Sequence, residues 1–411
     1  MSYSALQSVL REDLIERIGT FRIFRKREVI YKGSLYDTRR EAPYIAIRRC
    51  GILTAEGLFI VRQAGQSVKS NEYFVEFKIN VVWSRVWSFR KPPGDSRSNL
   101  LFPFLIGFTL KHFEYSFYVM TEENFEQWQQ HLKPLSLQSS ILERFTFNQL
   151  IGKGSSAEVY KVWGLSQQRF FACKVIKRGT VKRDLGLLKA LINEITILRR
   201  LKGQPFFAAL EEVHETAEGI FLVMELIEGS RLFDQPLDST AVSVLPLGRQ
   251  LLQALAVLAQ FGIIHRDLKP ANIMLRYADR APTNNQVVII DFGLAVFAQS
   301  RSYLFEQCGT RGYVAPEVMN FKPRDRLTPK VDVFSLGVIL YNHFTQIKPL
   351  KEVQVQNQLV TAADQVFDFK HFKFTSLDRA RELISAEHDY RHAHIRARKA
   401  PDCRRNPSQY H

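Results

Sequence analysis

The run His265-Arg266-Asp267-Leu268-Lys269-Pro270-Ala271-Asn272, followed by Asp291-Phe292-Gly293, gathers several reactive side chains into a short span. Asp267 offers a carboxylate that can orient a hydroxyl and take up its proton. Lys269 supplies a cation for phosphate charge, and Asn272 and Asp291 supply two oxygen donors suited to Mg2+. Few chemistries other than phosphoryl transfer need that set in that order. Such a segment needs a nucleotide cradle upstream and a substrate platform downstream.

The upstream stretch Ile151-Gly152-Lys153-Gly154-Ser155-Ser156-Ala157-Glu158-Val159 reads as a strand, a glycine turn and a second strand. Glycines let a backbone approach phosphate oxygens where a Cβ would collide. Taken alone, the run suits an ordinary hairpin turn equally well. Next, Phe171-Ala172-Cys173-Lys174-Val175-Ile176 is an apolar strand carrying one lysine. An unpaired amine is costly to bury, so Lys174 needs an anionic partner. Leu187, Leu188, Leu191, Ile195, Leu198 and Leu201 recur at helical spacing, with Glu194 among them. Lys174 is therefore assigned to the α- and β-phosphates and Glu194 to the ion pair that holds it; a surface salt bridge is the plainer alternative.

In this order and at these spacings, residues 145–403 resemble a eukaryotic protein kinase domain. The resemblance implies an α+β, bilobal protein kinase fold, with a β-rich N-lobe and an α-helical C-lobe. It also implies transfer of phosphate from MgATP to Ser/Thr hydroxyls of protein substrates. Asp267 would be the catalytic base, Lys269 the lysine of serine/threonine members, and Asn272 and Asp291 the metal ligands. ATP would meet Ile151, Gly152, Gly154, Val159, Ala172, Lys174, the gatekeeper Met224, and the backbone of Glu225 and Ile227. Ala157 stands where the family usually has a third glycine. Leu198, Leu210, His265 and Phe292 would stack as a hydrophobic spine, Asp332 would brace the catalytic loop, and Glu317 would pair with Arg391. Ser300 and Ser302 are the candidates for activation-loop phosphorylation, whereas Thr310 is expected to contact Asp267 and Lys269.

The stretch from Cys308 to Glu317 most resembles the calcium/calmodulin-dependent kinase group. Two departures bear on substrate choice: Arg231 and Ala271 stand where that group often uses glutamates to select arginine. The segment Glu382 to Arg398 is compressed, and no calmodulin-binding tail is evident after it. The alternative reading is a pseudokinase scaffold or lipid-binding adaptor. Its hallmark would be loss of Lys174, Asp267, Asn272 or Asp291, and all four are present.

Ahead of this region, alternating apolar runs predict strands over Val29–Leu35, Tyr44–Leu53, Leu58–Arg62, Tyr73–Ile79, Val81–Phe89, Phe104–Leu110 and Tyr115–Met120. A closing helix begins near Thr121, with Glu122 and Glu123 at its positive end and Phe125, Trp128 and Leu132 in one stripe. Short strands closed by one such helix resemble a pleckstrin-homology domain, a small β-barrel or sandwich. The organisation expected is an extension (1–27), this domain (28–135), a short polar linker (136–144), the kinase domain (145–403) and a tail (404–411). The resemblance implies phosphoinositide binding near Lys32, Arg39, Arg40, Arg48 and Arg49, although Ile47 occupies a position where a basic residue is expected. A merely solvated basic face is the alternative. The brevity of the linker suggests a docked, inhibitory arrangement over the cleft or over the helix around Glu194.

Composition is consistent with this organisation. The chain has 411 residues, 45% apolar, with a net charge of +16 concentrated in residues 22–49 and 379–405. Such charge favours anionic surfaces; no nucleic-acid module is recognisable, which leaves a phospholipid surface. The four cysteines (Cys50, Cys173, Cys308 and Cys403) lie far apart, as in a reducing compartment. No signal peptide is apparent, and Leu100–Phe108 is too short to span a bilayer. The expected location is cytoplasmic, with peripheral membrane attachment.

Overall fold

A computed structural model describes residues 14–345, apart from 27, 39–45, 55, 64–71, 92–102, 112, 155, 233–240, 301–306 and 323–324, together with Leu6, 352–355 and 358–361. Arg39, Arg40, Ser155, Ser302, Arg391 and the segment 382–411 thus lie outside the described residues. The chain divides into two compact units. The first comprises 1–227 with 290–296 and 302–304; the second comprises 228–289, 297–301 and 305–411.

The first unit is built on one continuous fourteen-stranded sheet. Its N-terminal part contains β1 (Ile15–Ile23), β2 (Tyr31–Thr38), β3 (Ala46–Thr54), β4 (Gly57–Gln63), β5 (Glu72–Ile79), β6 (Arg85–Arg90), β7 (Phe104–Leu110) and β8 (Phe113–Val119), followed by helix α1 (Glu122–Leu132). The strands run β1-β5-β4-β3-β2-β8-β7-β6. The strand β1 falls within the stretch read above as an extension. Its pairing with β5 slips between Arg17 and Thr20, where Gly19 takes a φ of 63°, and this bulge breaks the alternation that reveals a strand. Val81–Phe89, expected as one strand, divides. Val81–Trp83 form a buried 3-10 turn, closed where the Ser84 hydroxyl donates to the Asn80 carbonyl, and β6 begins after it.

The start of α1 is fixed by Thr121, whose hydroxyl accepts from the Asn124 amide at 3.3 Å, with Glu122 and Glu123 beside the free N–H groups. Its inner face buries Phe125, Trp128 and Leu132. Trp128 lies over a seat made by Gly33 and Gly51, which face each other across β2 and β3. A Cβ on Gly33 would sit 3.0 Å from the indole Nε1, and one on Gly51 would sit 2.9 Å from the ring. The indole can approach the sheet only because both positions lack a side chain.

Residues 136–144, expected as a polar linker, are a splice. Leu135, Ser136, Leu137 and Ile141 are buried. The two-residue strand β9 (Leu137–Gln138) pairs in parallel with β6 through Arg85 and with the later strand β13 (Leu210–Glu215) through Val213. The sheet then continues β9-β13-β14-β12-β11-β10, from β10 (Phe145–Lys153), β11 (Glu158–Gly164), β12 (Arg169–Lys177) and β14 (Gly219–Glu225). Two helices join β12 to β13. Of these, α2 spans Arg178–Arg183, and α3 spans Leu185–Arg200, with Asp184 capping the Leu187 amide at 3.0 Å. The expected apolar stripe of α3 is buried at Leu188, Leu191, Ile195 and Leu198. Ile141 and Phe145 pack with Val162, Phe171, Cys173, Phe221 and Val223 in one core.

A buried polar network fastens the splice. The Arg144 guanidinium forks onto Glu212, His214 Nε2 lies 3.0 Å from the same carboxylate, and His214 Nδ1 lies 2.9 Å from the Ser140 carbonyl. Burial alone would raise the Glu212 carboxyl, but hydrogen bonds from His214 and Arg144 outweigh it and hold it below the usual range. A carboxyl depressed on folding contributes stability above its unfolded value of about 4.3 and loses it as pH falls through the folded value. Denaturant unfolding at stepped pH is expected to show a drop below about pH 4. Glu212→Gln is expected to be less stable at neutral pH and to flatten that drop; an unchanged drop would remove Glu212 as its source.

The second unit contains α4 (Ala241–Gln260), β15 (Ile263–Ile264), the hairpin of β16 (Ile273–Leu275) and β17 (Val287–Ile289), α5 (Pro316–Met319) and α6 (Lys330–Thr345). No described helix is long and apolar enough to cross a membrane.

Candidate active site

The nucleotide-facing residues of the first unit follow from strand register. Val159 pairs with Lys174, and both Lys161 and Met224 pair with Ala172. Because side chains alternate, Val159, Ala172, Lys174 and Met224 share one face. At the turn between β10 and β11, the Gly154 amide donates to the Ala157 carbonyl at 2.8 Å. A Cβ on Gly152 or Gly154 would meet no atom closer than 3.6 Å. Packing therefore does not demand glycine here; an approaching ligand would. Ile151 is exposed and Ile227 is buried. The Glu225 amide donates to the Ala209 carbonyl at 2.8 Å and its carboxylate accepts from the Ala209 amide, which fixes the end of β14.

Lys174 Nζ lies 2.7 Å from Glu194 and 3.2 Å from Asp291. Burial alone would lower the Lys174 ammonium, but the two carboxylates outweigh it and hold it above its usual value. Asp291 adopts a φ of 61°, uncommon for a side-chain-bearing residue, and its Oδ1 also accepts from the Gly293 amide at 3.4 Å. A contact that the sequence did not reveal steadies the arrangement: Asn193, next to Glu194, donates to the Ala295 carbonyl and so ties α3 to the segment after Asp291. No signal in the sequence pointed to it, because Asn193 shares its helix face with Lys189 and Thr196 and reads as a solvated position.

In the second unit, Asp267 is the centre. Thr310 Oγ1 lies 2.6 Å from its Oδ1, and Lys269 Nζ lies 2.8 Å from its Oδ2. The Asn272 amide donates to the Asp267 carbonyl at 2.9 Å and to Oδ2 at 3.2 Å, which leaves the Asn272 oxygen as its ligand atom. Thr310 also accepts from Lys269 at 2.8 Å. The loop backbone is held from α6. The buried Asp332 carboxylate accepts the His265 amide at 2.7 Å and the Arg266 amide at 2.9 Å. Burial pushes the Asp332 carboxyl up, against the pull of His265 and Arg266. Arg266 has a φ of 63°, and its carbonyl would lie 2.7 Å from a Cβ on Gly309, itself at φ 112°. Only glycine fits there.

Replacing Thr310 with valine removes both bridging bonds while preserving shape. Initial-rate measurements of the phosphate transfer expected from the sequence should show a reduction of about tenfold, equivalent to about 1.4 kcal/mol. An unchanged rate would make the bridge ornamental.

Leu198, Leu210 and Phe292 of the first unit are buried, as is His265 of the second. Ser300 is described: its carbonyl accepts from Arg326 at 3.0 Å. Arg231 and Ala271 are both exposed. In the N-terminal part, Lys32 donates to the Tyr73 hydroxyl at 2.6 Å, and Arg48 donates to Ser34. Arg49 is half-buried and pairs at 2.8 Å with Glu76, a carboxylate it shares with Arg62, so Lys32 and Arg48 are the exposed cations among the described candidates.

Among the described residues, no cluster of three or more His, Cys, Asp or Glu side chains could hold a metal alone. Asp291 of the first unit and Asn272 of the second are each, taken separately, hard oxygen donors of the kind Mg2+ takes, an ion that retains waters and substrate phosphate oxygens instead of requiring a full protein cage.

The protein kinase domain family model matches residues 145–391. The chain is 38% identical over 215 residues to human calcium/calmodulin-dependent protein kinase type 1B, covering 51% of this chain and 57% of that protein. It is 32% identical over 253 residues to calcium/calmodulin-dependent protein kinase type 1 of Caenorhabditis briggsae, covering 60% and 68%. The rat type 1B protein is 38% identical over 207 residues, covering 49% and 56%. The matched stretch thus spans little more than half the length of the mammalian relatives.

Proposed function

Because the chain belongs to the protein kinase family, near its calcium/calmodulin-dependent members, we propose that it transfers the γ-phosphate of MgATP to serine and threonine hydroxyls of protein substrates. The observation that carries this reading is the formed ion triad of Lys174 with Glu194 and Asp291, at 2.7 and 3.2 Å. A scaffold that had lost catalysis would have no need to hold a lysine between two carboxylates at the foot of a glycine turn.

The residues divide the work by charge. Lys174 neutralises the α- and β-phosphates, and the open backbone of Gly152 and Gly154 admits phosphate oxygens. Asp291 and the Asn272 oxygen would hold Mg2+, which would supply positive charge to offset that of the phosphates. Asp267 orients the acceptor hydroxyl and takes its proton, as Thr310 gives up its place at Oδ1. Lys269 shields the charge that develops as the phosphoryl group moves. Phosphoryl transfer asks little covalent work of a protein, so positioning and electrostatics provide the rate.

Two finer features belong to the same proposal. With Arg231 and Ala271 in place of the glutamates of related kinases, the substrate is not selected for arginine. The N-terminal domain is pleckstrin-homology-like and places the chain in the cytoplasm, at phosphoinositide surfaces, with Lys32 and Arg48 as the contacts. Each cation at such a surface is worth about 1 kcal/mol, a gain that salt screens.

A single-turnover assay with γ-labelled ATP, Mg2+ and a mixed Ser/Thr/Tyr peptide library tests the activity. Label on serine and threonine is expected; label on tyrosine alone, or none at all, overturns the assignment. Sedimentation with phosphoinositide vesicles, comparing the protein with its Lys32→Ala/Arg48→Ala variant, tests the membrane reading; equal sedimentation defeats it.

A further inference from the structure

Helix α3 carries Glu194, and five residues on, in its last turn, lies Arg199. Arg199 is only 6% exposed, although guanidinium groups are almost never buried unless paired. Its NH1 donates to the Val82 carbonyl at 2.7 Å, and its charge sits 5.2 Å from the Trp83 ring. Its Nε and NH2 have no hydrogen-bond partner among the described residues. Burial pushes the guanidinium down to about 9, still charged at neutral pH.

Both partners of Arg199 belong to the 3-10 turn Val81–Trp83 of the N-terminal domain. A second link is close by: Arg85 donates to the Glu215 carbonyl at 3.4 Å, and the buried Glu215 carboxylate accepts from Arg178 at 2.9 Å at the start of α2. A third is the backbone ladder from β6 through β9 to β13. The N-terminal domain therefore grips α3 at its C-terminal end, while Asp184 caps the other.

The position of α3 decides whether the Lys174 pair exists. At about 1.5 Å per residue, Glu194 lies roughly 7.5 Å along the axis from Arg199. A slide or roll of 1–2 Å, the scale of ordinary helix shifts, would open a 2.7 Å contact. A buried cation with two idle nitrogens would be better solvated if α3 swung free. The carbonyl of Val82 and the ring of Trp83 are what offset that pull.

We infer that the N-terminal domain acts in cis as an activating brace, its Val81–Trp83 turn seating the Arg199 end of α3 and so keeping Glu194 on Lys174. This sense is opposite to the inhibitory docking suggested by the linker's brevity. The activity readout rests on the phosphotransferase reading above; the conformational readout does not.

The test uses the full chain carrying Trp83→Ala or Arg199→Glu, each followed by steady-state kinetics and by hydrogen exchange. The brace predicts that kcat falls about tenfold or more, and by a larger factor than any rise in KM for ATP. It also predicts that amides of residues 190–200 exchange faster while those of β2–β5 and α6 keep their protection. Unchanged exchange in α3 overturns the brace, as does an unchanged or raised kcat. A variant in which exchange rises everywhere is replaced by Trp83→Phe, which keeps a smaller ring under the guanidinium. A modest rise confined to α3 then supports the brace, and no rise overturns it. Should the unaltered protein transfer no phosphate, the kinase reading fails, and exchange alone still decides the brace.

Discussion

Asparagine in place of Asp267 is expected to lower kcat by roughly 10²–10⁴, the usual worth of a positioned general base. The substitution keeps the size of the side chain and one of the two acceptor oxygens that its three donors share. Thr310, Lys269 and Asn272 all converge on this carboxylate, so its charge also organises the loop. The amide can neither accept the hydroxyl proton nor attract Lys269. Nucleotide affinity should change little, because Lys174, Glu194 and Asp291 are untouched. Titration of nucleotide binding beside single-turnover rates separates the two effects. A variant that retains full turnover would show that the acceptor proton leaves by another route, and Asp267 would lose its role.

Alanine at Asp332 is expected to cost more in stability than any other change to the catalytic loop. The carboxylate is buried and accepts two amides, those of His265 and Arg266. Its removal leaves two buried N–H groups unpaired, at about 1–3 kcal/mol each. It also removes one hold on Arg266, whose backbone sits in the left-handed region at φ 63°. Denaturant unfolding should show a loss of several kcal/mol, with turnover falling in parallel as Asp267 loses its position. Asparagine at 332 keeps one acceptor oxygen and should recover part of both. If the alanine variant unfolds at the same midpoint as the unaltered protein, the brace between α6 and the loop has no energetic weight.

The contacts of the candidate site were legible in sequence because the chemistry proposed for it tolerates few residue types. Lys174, Glu194, Asp267, Asn272 and Asp291 could be named from identity and order, without any knowledge of packing. The clasp of Thr310 on Asp267 and Lys269 was likewise expected, from the family pattern alone. What sequence concealed was pairing at a distance. The strand β1 carries a glycine bulge that disguises its period. Leu135, Leu137 and Ile141 are too few and too close to a proline to register as an element, yet each is buried. Glu212 and His214 look like the polar face of an edge strand, whereas their partners, Arg144 and Ser140, stand 68 and 74 residues away in the chain. Arg199 looks like a cation placed to suit the end of a helix. Only the fold shows that Arg199 is roofed by Trp83, a tryptophan from 116 positions earlier.

The splice at Leu137–Gln138 has a practical corollary for anyone wishing to work with either half. Two residues serve as the middle rung of both ladders, so a cut on either side of them strips a strand from one neighbour and bares the edge of the other. A truncated version would report on a wounded lobe, not on a liberated one. Inserting a single residue would be as damaging, because it would turn Leu137 from the interior to the outside while leaving composition almost unchanged. Swapping the front half for that of another protein would therefore require transplanting the seam along with it.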